Sequence, residues 1–234
     1  MNVGDRYKTK EGYTIEVIFR NKRRVIVKFL ETGNAKEVYI NRLNDGKIKN
    51  PYHPSVYGVG FLGEGMYKAH DENLVKTEAY KCWSSMIMRC YNKNFQSKQS
   101  HYIGVTVDKE WHNFQKFAEW FYKNKPSNPN IEYELDKDIL SRDKKIYSPS
   151  TCIFLPKEIN RMIASLSTLS NVSMDKRGKY RLYVFSEYKG AYNTLEECIS
   201  KKQEIIKDKI QYLIKKYNYS QKDIVYEYLN IYII

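Results

Sequence analysis

The sequence predicts an α+β protein made of small sheets and separate helices. Alternating apolar residues, typical of strands, occur at 13–29 and again at 180–192. Apolar residues at helical spacing occur around 83–91, 114–121 and 198–214. Because single cores commonly occupy about 100 to 200 residues, a chain of 234 residues is expected to divide into two or three small domains.

Residues 1–50 predict a small antiparallel module, curled or barrel-like. The period-two positions are Ile15, Val17 and Phe19, then Val25, Val27 and Phe29. A turn at Asn21-Lys22 joins these two strands, and Val38 and Ile40 follow a second turn at 32–34. Basic residues cluster at one hairpin end, at Arg20, Lys22, Arg23, Arg24 and Lys28. They indicate either a solvated face or a nucleic-acid contact, and we favour the contact.

Residues 51–76 are rich in Pro and Gly and predict a linker or a loop laid over a neighbouring surface. They contain a literal GxGxxG at 58–63. We reject a dinucleotide site there because no apolar strand precedes the glycines and no helix follows them.

Two helices with buried aromatic faces are predicted next. Thr77 is expected to cap the first, and its apolar stripe is Trp83, Met86, Ile87, Cys90 and Tyr91. The second starts near Trp111, with Phe114, Phe117, Ala118 and Phe121 on one side. The segment 101–108 between them predicts a short strand. We interpret these stripes as core.

The rest of the chain predicts a strand–loop–strand–helix unit and then a sheet with long helices. Two extended pieces within 133–154 flank a loop at 141–144, and a helix follows from about Pro156. Strands are expected around 180–185 and 190–192. Thr194 and Glu197 form a capping box that opens a long helix, and Ser220 is expected to cap a last one. The apolar tail 228–234 must pack on its own domain or on a partner.

Charge makes a polyanion the first partner to consider. The net charge is +13, and the basic excess lies at the ends: residues 1–50 carry 12 basic and 6 acidic groups, and 161–234 carry 13 and 8. The four cysteines show no CxxC spacing and are interpreted as reduced, buried thiols. No signal peptide or membrane span is predicted, so we expect a cytoplasmic protein that does not bind membranes.

The region from Trp83 to Asn160 carries an ordered set of motif residues: Trp83, Met86, Met88, Arg89-Cys90, Tyr102, Gly104-Val105-Thr106-Val107, Trp111, Phe114, Phe117, Leu135-Asp136-Lys137, Tyr147-Ser148-Pro149 and Cys152. In these residues the region resembles HNH-endonuclease-like proteins of phages and mobile elements. The resemblance implies a ββα fold and DNA hydrolysis with Mg²⁺ or another divalent cation. It places Asp136 at the metal-binding position.

The catalytic set departs from that family pattern. Lys137 occupies the position of the general base, and a protonated lysine stabilises phosphate charge more readily than it accepts a proton. Asp138 is a further candidate acid, and His101 a candidate for a relocated base. Thr151 and Ile153 stand where relatives carry Asn and Arg. We therefore favour a decayed catalytic site over an active one.

The segment 171–198 contains Gly178-Lys179-Tyr180-Arg181, Gly190-Ala191-Tyr192-Asn193-Thr194 and Glu196-Glu197. With these motifs it resembles an AP2-type DNA-binding domain, a three-stranded sheet on a helix. In that family the sheet enters the major groove. The resemblance implies DNA contacts from Arg177, Lys179, Arg181 and Tyr183, and strand alternation puts the last three on one face. A solvated basic sheet is the alternative.

Together these patterns predict four regions: a β module (1–50), a linker (51–76), an HNH-like domain (77–165) and an AP2-like domain with C-terminal helices (166–234). The predicted function is double-stranded DNA binding related to HNH homing endonucleases, with degenerate or weak metal-dependent nicking. The alternative is a non-catalytic phage effector that binds a host defence protein or repressor, built on a retired nuclease scaffold.

Overall fold

The fold is described from a computed structural model, which covers residues 1–141, 144–166 and 172–231. Helices and several small sheets alternate along the chain, which confirms the α+β class. The chain divides into two compact units, Met1–Lys123 and Asn124–Ile234. This division falls inside the predicted 77–165 domain.

The first unit opens with an antiparallel sheet of four strands in sequential order. They are β1 (Arg6–Lys8), β2 (Thr14–Asn21), β3 (Arg24–Phe29) and β4 (Ala35–Tyr39), followed by the short helix α1 (Ile40–Asn44). The predicted β2–β3 hairpin is confirmed. The barrel-like closure is wrong: within the described residues β1 and β4 remain edges, because four short strands are too few to close around a core.

Phe19 does not lie on the buried side with Ile15 and Val17, as the alternation predicted. A β-bulge shifts the β2–β3 register between Val17 and Phe19, so that Phe19 pairs with Ile26. The extra residue reverses the alternation. Ile15 and Val17 are buried, whereas Phe19 is 54% exposed.

Three further helices of the first unit follow: α2 (Glu78–Tyr91), α3 (Lys93–Gln96) and α4 (Phe114–Asn124), with the short strand β5 (Thr106–Val107) between α3 and α4. Helices α2 and α4 bury aromatic side chains that include Trp83 and Phe114. Thr77 caps α2 as predicted, since its side chain accepts from the N–H of Tyr80. Trp111 is buried in a 3-10 turn that precedes α4.

The segment 51–76 is a loop laid over the surface of the first unit, the second of the two alternatives. Gly60 lies so close to Trp83 that a Cβ atom would be 2.8 Å from the indole ring. The Gln115 amide bonds both the N–H and the carbonyl of Tyr67, at 3.0 and 2.9 Å. The two hydrogen bonds from Gln115 satisfy backbone groups of Tyr67 that an unattached linker would leave to water.

The second unit begins with the predicted strand–loop–strand–helix. Its elements are β6 (Tyr133–Asp136), α5 (Asp138–Ser141), β7 (Ile146–Tyr147), β8 (Ile153–Pro156) and α6 (Lys157–Leu166). Strands β6 and β8 pair antiparallel, with Asp136 opposite Ile153. Of the loop predicted at 141–144, Arg142 and Asp143 lie outside the described residues.

A three-stranded antiparallel sheet and two helices complete the second unit. They are β9 (Val172–Met174), β10 (Tyr180–Val184), β11 (Glu187–Tyr192), α7 (Leu195–Lys216) and α8 (Ile224–Asn230), with β10 central. The Thr194–Glu197 capping box is confirmed. Asp223, not Ser220, is the N-cap residue of α8, and Ser220 bonds the Asp223 carboxylate instead. Asn171 and the tail residues 232–234 lie outside the described ranges.

The strand–helix region and the C-terminal region of the second unit share one core. Leu155 and Ile159 of the strand–helix region and Leu182, Ile210 and Leu229 of the C-terminal region belong to a single buried cluster. The boundary predicted at 165/166 therefore runs through a shared core, because α6 and α7 bury their apolar faces together.

The four cysteines all lie in the described ranges and none is disulfide-bonded; Cys90, Cys152 and Cys198 are buried and Cys82 is half-buried. In the described part of the chain, every helix is too short or too polar to span a bilayer.

Candidate nucleic-acid interface

The β9–β11 sheet has one buried and one exposed face. Leu182 and Val184 of β10 are buried against the core that includes Cys198 of α7. Arg181 and Tyr183 alternate with them and point to solvent, which confirms the alternation read from the sequence.

The β9–β10 hairpin is closed by Asp175. Its backbone N–H donates to the carbonyl of Lys179 at 2.8 Å, and its carboxylate accepts from the N–H groups of Arg177 (2.9 Å) and Lys179 (3.1 Å). Gly178 supplies the left-handed residue of the turn, with φ +77°. The N–H groups of Lys179 and Arg177 hold the pKa of Asp175 below its usual range. The turn therefore presents Arg177 and Lys179 on a firmly bonded frame.

Arg181 occupies the centre of the exposed face. It lies on the middle strand, between Ser173 of β9 and Ala191 of β11. Both neighbours are small, so they leave the guanidinium accessible above the sheet. Nη2 of Arg181 lies 3.5 Å from the second carboxylate oxygen of Asp175.

Two tyrosines form the far end of this face. Tyr183 pairs with Tyr188 across the β10–β11 hairpin, and their ring centroids are 5.5 Å apart. A bulge beside Tyr183 and the φ of +133° at Gly190 set this register. Sequence reasoning missed Tyr188 because period-two counting cannot anticipate a bulge. The strand signal around 190–192 could have drawn attention to it.

The four residues expected to contact DNA in this region thus come together. One shallow depression is lined by Asp175, Arg177, Lys179, Arg181, Tyr183, Tyr188 and Ala191. Lysine and arginine bind phosphate oxygens, a guanidinium matches the paired acceptors of guanine, and tyrosine contacts base or sugar. We call this surface the basic sheet face.

The basic residues predicted in the N-terminal module do not form one face. Arg24 binds Glu37 at 2.7 Å and lies over the Tyr39 ring. Lys28 lies opposite Glu16 on that side of the sheet, and the Glu16 carboxylate accepts from Arg6 at 2.8 Å. Arg20 is paired with the buried Val25 and donates to the carbonyl of Met1, so it belongs to the other side.

Arg23 is exposed in the β2–β3 turn. Acidic neighbours thus engage some of the cations of the N-terminal module, as on a solvated face.

Asp136 lies at the end of β6 and is only 6% exposed. Its Oδ1 accepts from the N–H groups of Asp138 and Ile139, both at 3.0 Å, at the start of α5. Burial raises the pKa of Asp136, and these backbone hydrogen bonds oppose that rise. The carboxylate thus serves as a helix cap.

The other predicted catalytic residues do not complete a cation site around Asp136. Lys137 bonds Asp138 and lies over the Tyr147 ring, 5.7 Å from its centroid. Asp138 is exposed at the surface. A hard divalent cation needs several oxygen donors, and one Asp136 oxygen already accepts two N–H groups. Over the described ranges, no group of three His, Cys, Asp or Glu side chains is placed to hold a metal ion.

Thr151 and His101, two residues considered at the sequence level, have structural contacts. The Thr151 hydroxyl donates to the Ile146 carbonyl at 2.8 Å and accepts from the N–H of Ser148. His101 lies in a 3-10 turn of the first unit, with its ring 4.3 Å from that of Tyr102. A catalytic role for His101 stays a prediction.

Comparison of the chain with protein-family models, with curated protein sequences and with solved structures finds no match.

Proposed function

We propose that the protein binds double-stranded DNA through the basic sheet face. The observation that carries the proposal is the grouping of Arg177, Lys179, Arg181 and Tyr183 on one exposed surface whose reverse packs on the core. The AP2-type resemblance supports the same residues.

Charge and shape favour DNA over a solvated surface. Arg177, Lys179 and Arg181 face a single acid, Asp175, so the surface has a net positive charge. A two- or three-stranded ribbon fits the major groove of B-DNA, which is about 12 Å wide. Backbone phosphates would contact the hairpin cations, and base edges would meet the centre of the sheet.

The test is a mobility-shift titration with duplex DNA over a salt series. Arg177→Ala/Lys179→Ala is expected to weaken binding and to reduce the slope of log K against log salt by about 2, since each phosphate contact contributes about 0.9. The matched control is Lys207→Ala/Lys215→Ala, which removes two exposed cations of α7. Equal losses of DNA affinity in the two double variants, or no binding by the wild type at low salt, would overturn the proposal. Failure to bind DNA would favour a protein partner.

Cleavage is tested separately by incubating supercoiled plasmid with Mg²⁺ or Mn²⁺. We expect no nicking, because Asp136 caps α5 and Lys137 is bonded to Asp138. Nicking that disappears in Asp136→Asn, which can retain the cap, would establish the metal-dependent nuclease instead.

A further inference from the structure

Asp175 is an acid in the middle of a surface that otherwise attracts phosphate. We propose that it is a positioning residue, which turns the Arg181 guanidinium toward a guanine base in the major groove and makes Arg181 a reader of sequence. The inference rests on the proposed DNA binding and adds the base that is recognised.

Asp175 is held in place independently of DNA. One of its oxygens accepts the N–H groups of Arg177 and Lys179, so the carboxylate cannot rotate away without breaking the hairpin turn. Its side chain is 12% exposed, compared with 50% for Arg181. The acid is thus the fixed member of the pair, and the longer arginine side chain is the member that it orders.

The position of Arg181 suits a base contact. The middle strand lies farthest from both edges, and Ser173 and Ala191 on either side leave room for a base edge to approach. Arg177 and Lys179 come from the hairpin end, where the phosphate backbone would run. In protein–DNA interfaces, phosphate contacts position the protein and base contacts give sequence specificity. Arg177 and Lys179 would thus position the sheet, and Arg181 would read the base.

Electrostatics points the same way. The Asp175 carboxylate repels a phosphate at Arg181 and engages one side of the guanidinium, at 3.5 Å from Nη2. The remaining N–H groups match the O6 and N7 acceptors of guanine, and a carboxylate can accept from the N4 amino group of the paired cytosine. The lowered pKa of Asp175 keeps it ionised at neutral pH.

Asp175→Asn isolates this role. Asparagine keeps an oxygen that can accept from Arg177 and Lys179, so the hairpin is expected to stay closed, but it removes the charge that faces Arg181. Arg181→Lys is the complementary variant, which keeps the charge and loses the bidentate fork. Lys207→Ala is the control on the exposed surface of α7.

The experiment selects bound duplexes from a randomised pool with the full-length wild type and each variant, then measures affinity for the selected site and for the site with its guanine replaced. The wild type is expected to prefer guanine at one position by about tenfold to a hundredfold. Asp175→Asn should bind random duplex more tightly and lose most of that preference. Arg181→Lys should lose the guanine preference at the same position. Lys207→Ala should change neither that preference nor the affinity for random duplex.

The outcomes separate the two proposals. No duplex binding by the wild type would remove the proposed function itself. Binding without a preferred guanine, or a preference that Asp175→Asn retains, would overturn the role of Asp175 and leave DNA binding standing. Circular dichroism melting identifies a misfolded variant. If Asp175→Asn melts early, either of two results decides against the inference: a well-folded Arg181→Lys that keeps the guanine preference, or tighter binding of random duplex by Asp175→Glu, which keeps the charge, than by the wild type.

Discussion

A buried carboxylate persists in a protein only where hydrogen bonds replace the water it has lost. Asp136 meets this requirement with two backbone N–H groups at the start of α5. The same side chain would be a candidate cation ligand if these N–H groups did not already occupy one of its oxygens. Asp138, two residues along the chain, is exposed and bonds Lys137. The two acids therefore contribute differently to stability.

We expect Asp136→Ala to lower the free energy of unfolding by about 1–3 kcal/mol, because two N–H groups lose their acceptor. Asp138→Ala is the matched control and should cost about 0.5 kcal/mol or less, as exposed substitutions usually do. Urea unfolding followed by circular dichroism measures both. Equal costs for the two alanine variants would contradict the capping role of Asp136.

Between elements, one glutamate joins two helices. Glu158 of α6 binds Lys209 at 2.5 Å and Lys216 at 2.6 Å, both on α7, and accepts from the Tyr217 hydroxyl. Partial burial alone would raise the pKa of Glu158, but the hydrogen bonds from the two lysines outweigh it and lower the pKa to about 2. Polar contacts thus reinforce the shared core of the second unit.

Glu158→Gln is expected to lower the free energy of unfolding by about 1 kcal/mol at neutral pH, a modest value because the group is a third exposed. The depressed pKa sets the pH dependence. The stabilisation is complete above about pH 4.5 and is lost as the pH falls toward about 2, because the unfolded chain takes up the proton first.

Urea titrations of wild type and Glu158→Gln across that range check the prediction. Glu132→Gln is the control, since Glu132 pairs with Lys157 at 68% exposure and should contribute little. If the difference in free energy of unfolding between wild type and Glu158→Gln grows as the pH falls, the stabilising role of ionised Glu158 is contradicted.

Over the whole molecule, positive charge is distributed unevenly between surfaces. The N-terminal sheet holds Glu16 in an ion pair with Arg6 and Glu37 in an ion pair with Arg24, whereas the basic sheet face holds only Asp175 against its cations. Total charge therefore overstates what the N-terminal module can offer a phosphate backbone. Its cations can still add to binding that does not depend on sequence.

We expect Arg23→Ala/Lys28→Ala to weaken binding equally on every duplex, with no change in the preferred site. Arg181→Ala should instead reduce discrimination at one position, because base contacts carry sequence and phosphate contacts do not. Titrations on the selected and on a scrambled duplex at two salt concentrations measure the difference. A change of preferred site in the N-terminal variant would show that this module also reads bases.

Much of the local structure follows from the sequence alone. The β2–β3 hairpin, the Thr77 cap, the Thr194–Glu197 capping box and the outward placement of Arg181 and Tyr183 were all predictable. Each depends on residues within one turn or one strand, where side-chain period and backbone hydrogen bonding are set by neighbours in sequence.

Tertiary structure alone decided the features that depend on distant or irregular contacts. The bulges exposed Phe19 and placed Tyr188 beside Tyr183, and the shared core joined the later part of the predicted 77–165 domain to the predicted 166–234 domain. The turn that fixes Asp175 also brought it to Arg181. Periodicity cannot encode these outcomes, because a single extra residue reverses a strand face and burial is settled by which surfaces meet.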